Sequence, residues 1–207
     1  MRLASPPLVS LLTLPALWLG AWGTGGFADL TGDGTRSALT MMNGRVDSPL
    51  NGYFQVRRTL VAFNTFIHCK HNFLIGKADG SETLAPTDCV IANNLVLGSG
   101  DPLVVLATTP EKFAWDGNIF HGAPVGFVNP GIATSDPALA RDANGLWRPT
   151  AASPVRNAAV GQYPQVMTDM DGQPRGVSGR EIGADEISDA PKLRRPLKPE
   201  DVGPAWM

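Results

Sequence analysis

Leu60-Val-Ala-Phe-Asn64-Thr-Phe66, Cys89-Val-Ile-Ala-Asn93-Asn-Leu95 and Phe113-Ala-Trp-Asp-Gly-Asn118-Ile-Phe120 are three versions of one phrase. Each is a short β-prone run, an asparagine, and a large apolar residue two places later. The asparagines recur at intervals of 29 and 25 residues, with further apolar runs between them at Phe73-Leu-Ile75 and Leu103-Val-Val-Leu106. A repeat of this length holding several strands is the signature of a solenoid. In a parallel β-helix, equivalent residues of successive coils lie above one another at one strand spacing. Asn64, Asn93 and Asn118 are therefore expected to form a hydrogen-bonded ladder, with Phe66, Leu95 and Phe120 stacked as core beside it. The same phrase also serves as a turn-to-strand step in β-sandwiches, and that alternative stays open at this point.

The repeat also bears on the two cysteines. A shift of 29 residues sets Cys89 over Leu60 and Cys69 beneath Gly98, so the thiols fall about nine residues apart along the coil at roughly 3.3 Å per residue. A disulfide needs Cα atoms about 4.4 to 6.8 Å apart, so the thiols are expected to be buried and unlinked.

Composition agrees with a chain that turns often. Among 207 residues there are 23 glycines and 18 prolines, well above the average of about one residue in eight for the two together. Hydrophobic residues make up 43% and charged residues 17%, enough apolar material for a packed core. A net charge of −2 gives no footprint of a nucleic-acid binder. After the first 23 residues no apolar, charge-free run is long enough to span a bilayer as a helix. Residues 1–23, with Arg2, an apolar run from Leu8 to Leu19 and then Gly20, Ala21 and Gly23, have the layout of a secretory signal. The expected location is then secreted or periplasmic. Residues 24–190 carry the coils, and residues 191–207, rich in cations and proline, read as an extended surface tail. The strand signal thins after Asn118 into a closing coil plus loops.

Three stretches carry a family resemblance: Thr35-Arg36-Ser-Ala-Leu-Thr-Met-Met-Asn43-Gly44, Ser48-Pro-Leu-Asn51-Gly-Tyr53-Phe-Gln-Val, and Phe63-Asn64-Thr65-Phe66. With Ala114-Trp115-Asp-Gly117-Asn118-Ile-Phe120, they resemble the later coils of polysaccharide lyase family 6, the alginate lyase and chondroitinase B family. The close, Asp169-Met-Asp171-Gly172-Gln-Pro174-Arg175 with Ile182-Gly183-Ala184-Asp185-Glu186, is similar to the terminal motif of many right-handed β-helices. Asp201-Val-Gly203-Pro204-Ala-Trp206 looks like the family's own C-terminus.

The resemblance implies an all-β chain, a right-handed parallel β-helix truncated at its N-terminal side, because it answers to the second half of the family's catalytic domain. It also implies β-elimination on an acidic, uronate-containing polysaccharide such as alginate or dermatan sulfate. In the full-length family an asparagine and two acidic residues hold calcium, a lysine takes the C5 proton, and an arginine assists. No position here matches the Lys-Ser and Arg-His-Gly motifs that bring those groups. The chain is thus expected to bind no calcium and to be an inactive fragment, with catalytic residues unassigned. An uncapped first coil near Phe27 is expected to invite self-association. A non-catalytic carbohydrate-binding or structural β-helix is the alternative, and a piece without a stable fold a third.

Arg36 is the leading candidate for substrate binding, since a guanidinium can hold a carboxylate in a bidentate pair. Asn51 and Tyr53 precede a strand and are expected at the same cleft. His68-Cys69-Lys70-His71 invites a metal reading, but neighbours on a strand point to opposite faces. Asp169-Met-Asp171-Gly172 echoes the opening of a calcium loop without its later ligands and reads as a turn. Gly23-Thr-Gly25-Gly26 lacks the strand and helix of a dinucleotide site, and no serine-nucleophile motif is visible.

Overall fold

The computed structural model describes residues 10–12, 37–50, 52–69, 71–99 and 102–195. Strands recur in threes. The first coil runs β2 (Leu39–Met42), β3 (Thr59–Ala62) and β4 (Thr65–Ile67), and the second runs β5 (Phe73–Lys77), β6 (Val90–Ala92) and β7 (Leu95–Leu97). The third runs β8 (Val104–Leu106), β9 (Ala114–Asp116) and β10 (Asn118–His121), followed by a two-residue β11 (Ile132–Ala133). Like strands stack in parallel into three sheets: β3-β6-β9, β4-β7-β10-β11 and β2-β5-β8. This is a parallel β-helix. A further strand, β1 (Ser10–Leu12), pairs in parallel with Thr59–Val61 ahead of β3. The rest of the stretch read as a leader lies outside the described residues.

Alternation along each strand sends one set of side chains inward. Val61, Ile91 and Trp115 come from the first sheet, Phe66, Val96 and Phe120 from the second, and Met41, Phe73, Ile75 and Val104 from the third, forming one buried column. Its aromatic rings meet edge to face, Phe66 on Phe73 at 5.0 Å and Phe73 on Phe120 at 5.4 Å between centroids. Such pairs contribute about 0.5–1.5 kcal/mol each beyond their burial.

The asparagine ladder exists, but one residue away from its expected register. Asn64 Nδ2 donates to Asn94 Oδ1 at 3.0 Å, and Asn94 Nδ2 donates to Asn118 Oδ1 at 3.1 Å. Asn94, not Asn93, is the middle rung. Val96, not Leu95, likewise stands between Phe66 and Phe120. The reason lies in the turn joining the first two sheets. Its leading residue has a left-handed backbone in every coil, with φ of 56° at Phe63, 53° at Asn93 and 63° at Gly117, and the ladder asparagine follows. Asparagine and glycine tolerate that conformation well. With two asparagines in succession, the first takes the turn and the second the ladder. The shift also moves Cys89 from Leu60, since Leu60 pairs with Val90. Neither cysteine is in a disulfide.

Among the described residues, the chain after the coils covers the outer faces of the first and second sheets. Instead of a closing coil, β12 (Leu139–Arg141) and β13 (Trp147–Pro149) form an antiparallel hairpin. Residues 153–195 then cross the outer side of the coils. Tyr163, Val166 and Ala159 cover Leu60, Ala62, Phe63 and Ala92 on the first sheet, while Val155 and Ile182 cover Leu95 and Ile119 on the second. Asn93 fastens this segment, donating from Nδ2 to the Val160 carbonyl and accepting from the Val160 amide, both at 2.9 Å.

Candidate functional site

The outer side of β2-β5-β8 leads into a loop fixed by its neck. Gly44 exchanges two backbone bonds with Leu84, and the Arg45 amide donates to the Tyr53 carbonyl at 2.8 Å. A Cβ on Gly44 would lie 2.4 Å from the Gln55 backbone nitrogen, so only glycine lets the two strands of the neck close. Gly44→Ala is expected to destabilise the chain by about 1–3 kcal/mol, as overpacking does. Thermal melting should show it, and an unchanged midpoint would mean that the neck can open without penalty.

Beneath the neck is a polar floor. Buried Asn43 donates from Nδ2 to the Glu82 carbonyl at 3.2 Å and to Thr108 Oγ1 at 3.0 Å, and its Oδ1 has no partner among the described residues. The Glu82 side chain, also buried, accepts from the Asp79 amide at 3.1 Å and faces the Arg45 guanidinium at 3.9 Å. The loop shows solvent an apolar surface with charges of both signs, Asp47 being exposed beside Arg45 and Val46. Tyr53 is 48% exposed and Phe54 59%, with Val46 and Leu50 also outward and Arg45 and Arg57 exposed beside them in the chain.

Of the residues expected to bind substrate, Tyr53 stands on this loop with its ring exposed, whereas Arg36 and Asn51 lie outside the described residues. Phe54, Arg45 and the Asn43–Glu82 floor were not singled out by sequence. Phe54 lies inside one quoted motif and Arg45 directly follows another, but Glu82 comes from the next coil and only the fold brings it here. His68 is not in the strand at all: β4 ends at Ile67, and His68 has a φ of 51°. Its ring meets Trp147 at 5.9 Å, while burial pushes the Cys69 thiol up to about 11. Asp169 does form a turn, its Oδ1 accepting from the amides of Asp171 and Gln173.

Among the described residues, no group of three or more His, Cys, Asp or Glu side chains could hold a metal. Asp142, Asp171 and Asp185 do converge, but on Arg148, which each meets at 2.6 Å.

The family model for chondroitinase B matches residues 23–156. The chain belongs to the chondroitinase B family. The match takes in all the coils, the loop with Tyr53 and Phe54, and the hairpin with Arg148, while the segment from 157 onward lies beyond it. Among the solved structures that resemble the chain are two of the PL6 family alginate lyase AlyGC. A point mutant of AlyGC has 22% identity and a TM-score of 0.48, with 74% of this chain and 19% of that one covered. The other AlyGC structure has 21% identity and a TM-score of 0.42, with 76% and 20% covered. This member of the chondroitinase B family therefore spans about a fifth of the length of the solved structures it matches. No curated protein matches it.

Proposed function

We propose that this chain holds an acidic, uronate-containing polysaccharide on the loop between Gly44 and Gln55 and does not by itself complete the elimination that breaks such a chain. The observation that carries the binding half is the exposed pair Tyr53 and Phe54 on a closed-necked loop beside Arg45. Pyranose rings present apolar faces that pack on aromatic rings, and uronate carboxylates take guanidinium partners. Membership of the chondroitinase B family supports the same ligand class. The catalytic half needs a base for the C5 proton and fixed positive charge for the enolate that follows. The sequence offers neither the Lys-Ser nor the Arg-His-Gly motif for these roles, and the converging carboxylates are engaged with Arg148.

The test pairs calorimetric binding to alginate and to dermatan sulfate with an ultraviolet assay for the unsaturated uronate product, with and without calcium. Binding without product is expected. Tyr53→Ala with Phe54→Ala should weaken it about tenfold while leaving the circular dichroism spectrum unchanged. Product release by the unaltered chain would overturn the catalytic half, and affinity unaffected by the double substitution would overturn the binding half.

A further inference from the structure

The C-terminal segment is tied down by two knots of buried charge, each with more carboxylates than cations. In the first, Arg148 Nε donates to Asp142, and its Nη1 donates to both Asp171 and Asp185 at 2.6 Å. The two oxygens on Nη1 can be no further apart than twice that distance, inside a site where every one of these side chains is buried. Lys192 and Asp169 also act on Asp185, and the amides of Leu193 and Arg194 donate to Asp171. In the second knot Arg175 pairs with Glu186 and donates to the Gly183 carbonyl, with Glu181, Asp169 and Arg180 as the other charged neighbours. The coil side gives these knots Thr65, whose hydroxyl accepts from the Ala184 amide, and Phe63, whose ring lies 4.7 Å beneath Arg175. Neither titrates. His68, on the ring of Trp147, adjoins the residue before Arg148, which points to the opposite face of β13.

We propose that residues 153–195 form a pH-operated clasp over the outer faces of the first two sheets, closed in mild acid and loosened as the medium becomes neutral and then alkaline. Like charges confined at this distance favour taking up a proton. Burial raises Asp185 to about 6, and burial with the neighbouring Glu181 raises Glu186 to about 8. Both values exceed the usual 3.8 and 4.5 of these side chains, so the folded clasp binds protons more tightly than the released chain. Its stability is therefore full below the usual values and falls as pH rises through the raised ones. Asp142 and Asp171 act in the opposite sense, since hydrogen bonds from Arg148 and backbone amides outweigh desolvation and hold them below 3.8. Strong acid opens the clasp again.

Hydrogen exchange followed by mass spectrometry, corrected for intrinsic rates, tests this directly. Between about pH 6 and pH 8, amides held inside the clasp, Ala159, Met170, Ile182 and Gly183, should lose protection about tenfold for each proton released per pH unit. The coil amides of Ile91 and Val96 should stay protected throughout. Asp185→Asn and Glu186→Gln, which mimic the protonated groups, should each keep at the upper pH more of the protection seen at the lower one. Should the first not fold, the second still reads out its own knot. Flat protection in the unaltered chain, parallel loss in the coils, or variants with unchanged pH dependence would overturn the proposal.

Discussion

Arg148→Met is expected to cost about 3–5 kcal/mol, the usual consequence of removing one partner from a buried ion pair. Here the damage is concentrated, because one guanidinium answers three carboxylates whose side chains are between 1% and 9% exposed. Without it, Asp142, Asp171 and Asp185 face one another with only backbone amides and Lys192 as partners. The hairpin, the turn at Asp169 and the stretch at 184–186 lose their common anchor. Urea unfolding at neutral pH should show the loss as a lower midpoint, and part of it should return in acid as the carboxylates take up protons. Arg148→Lys should fall between, since an ammonium keeps the charge but not the fork that reaches three acceptors. A loss below about 1 kcal/mol, the worth of an exposed pair, would mean that the carboxylates rearrange to find water.

How much of this was legible beforehand depends on the length scale of each signal. Phe66 and Phe120 could be placed in the core because the asparagine phrase repeats locally and the coil makes repetition equal proximity. The ladder's middle rung could not be fixed by pattern alone, because Asn93 and Asn94 both match. Backbone chemistry decides it: the left-handed turn residue must come first. The hairpin β12–β13 carries a readable signal within a stretch whose apolar residues also suit a further coil. Asn144-Gly145 is a strong short-range hairpin phrase, and Asp142 supports it by accepting from the amides of Asn144 and Leu146. The Arg148 knot gave no comparable sign. Its partners are 6, 23 and 37 residues away, and the motif around Asp169 and Asp185 spoke for a chain terminus without saying what those carboxylates hold. At the candidate site, Tyr53 was found through its motif, whereas Glu82 reaches Arg45 only because β5 stacks on β2.

Asn94→Ala should cost about 3 kcal/mol or more, and Asn93→Gly about 1 kcal/mol, although the two residues are adjacent and equally buried. Removing the Asn94 side chain takes the acceptor from the Asn64 amide and from Asn64 Nδ2, and the donor from the Val61 carbonyl. These groups sit inside the coil, out of reach of water, and each unmade bond there costs about 1–3 kcal/mol. Asn93→Gly keeps a residue suited to φ 53° and gives up only the two bonds to Val160 at the clasp's edge, where solvent can replace them. Urea midpoints would rank the pair, and hydrogen exchange would locate the damage: throughout the coil amides for Asn94→Ala, around Val160 for Asn93→Gly. Equal losses from the two would contradict the register of the ladder. A larger loss at Asn93 would mean that the expected stacking of Asn64, Asn93 and Asn118 was right and that the turn residue, not the one after it, holds the coils together.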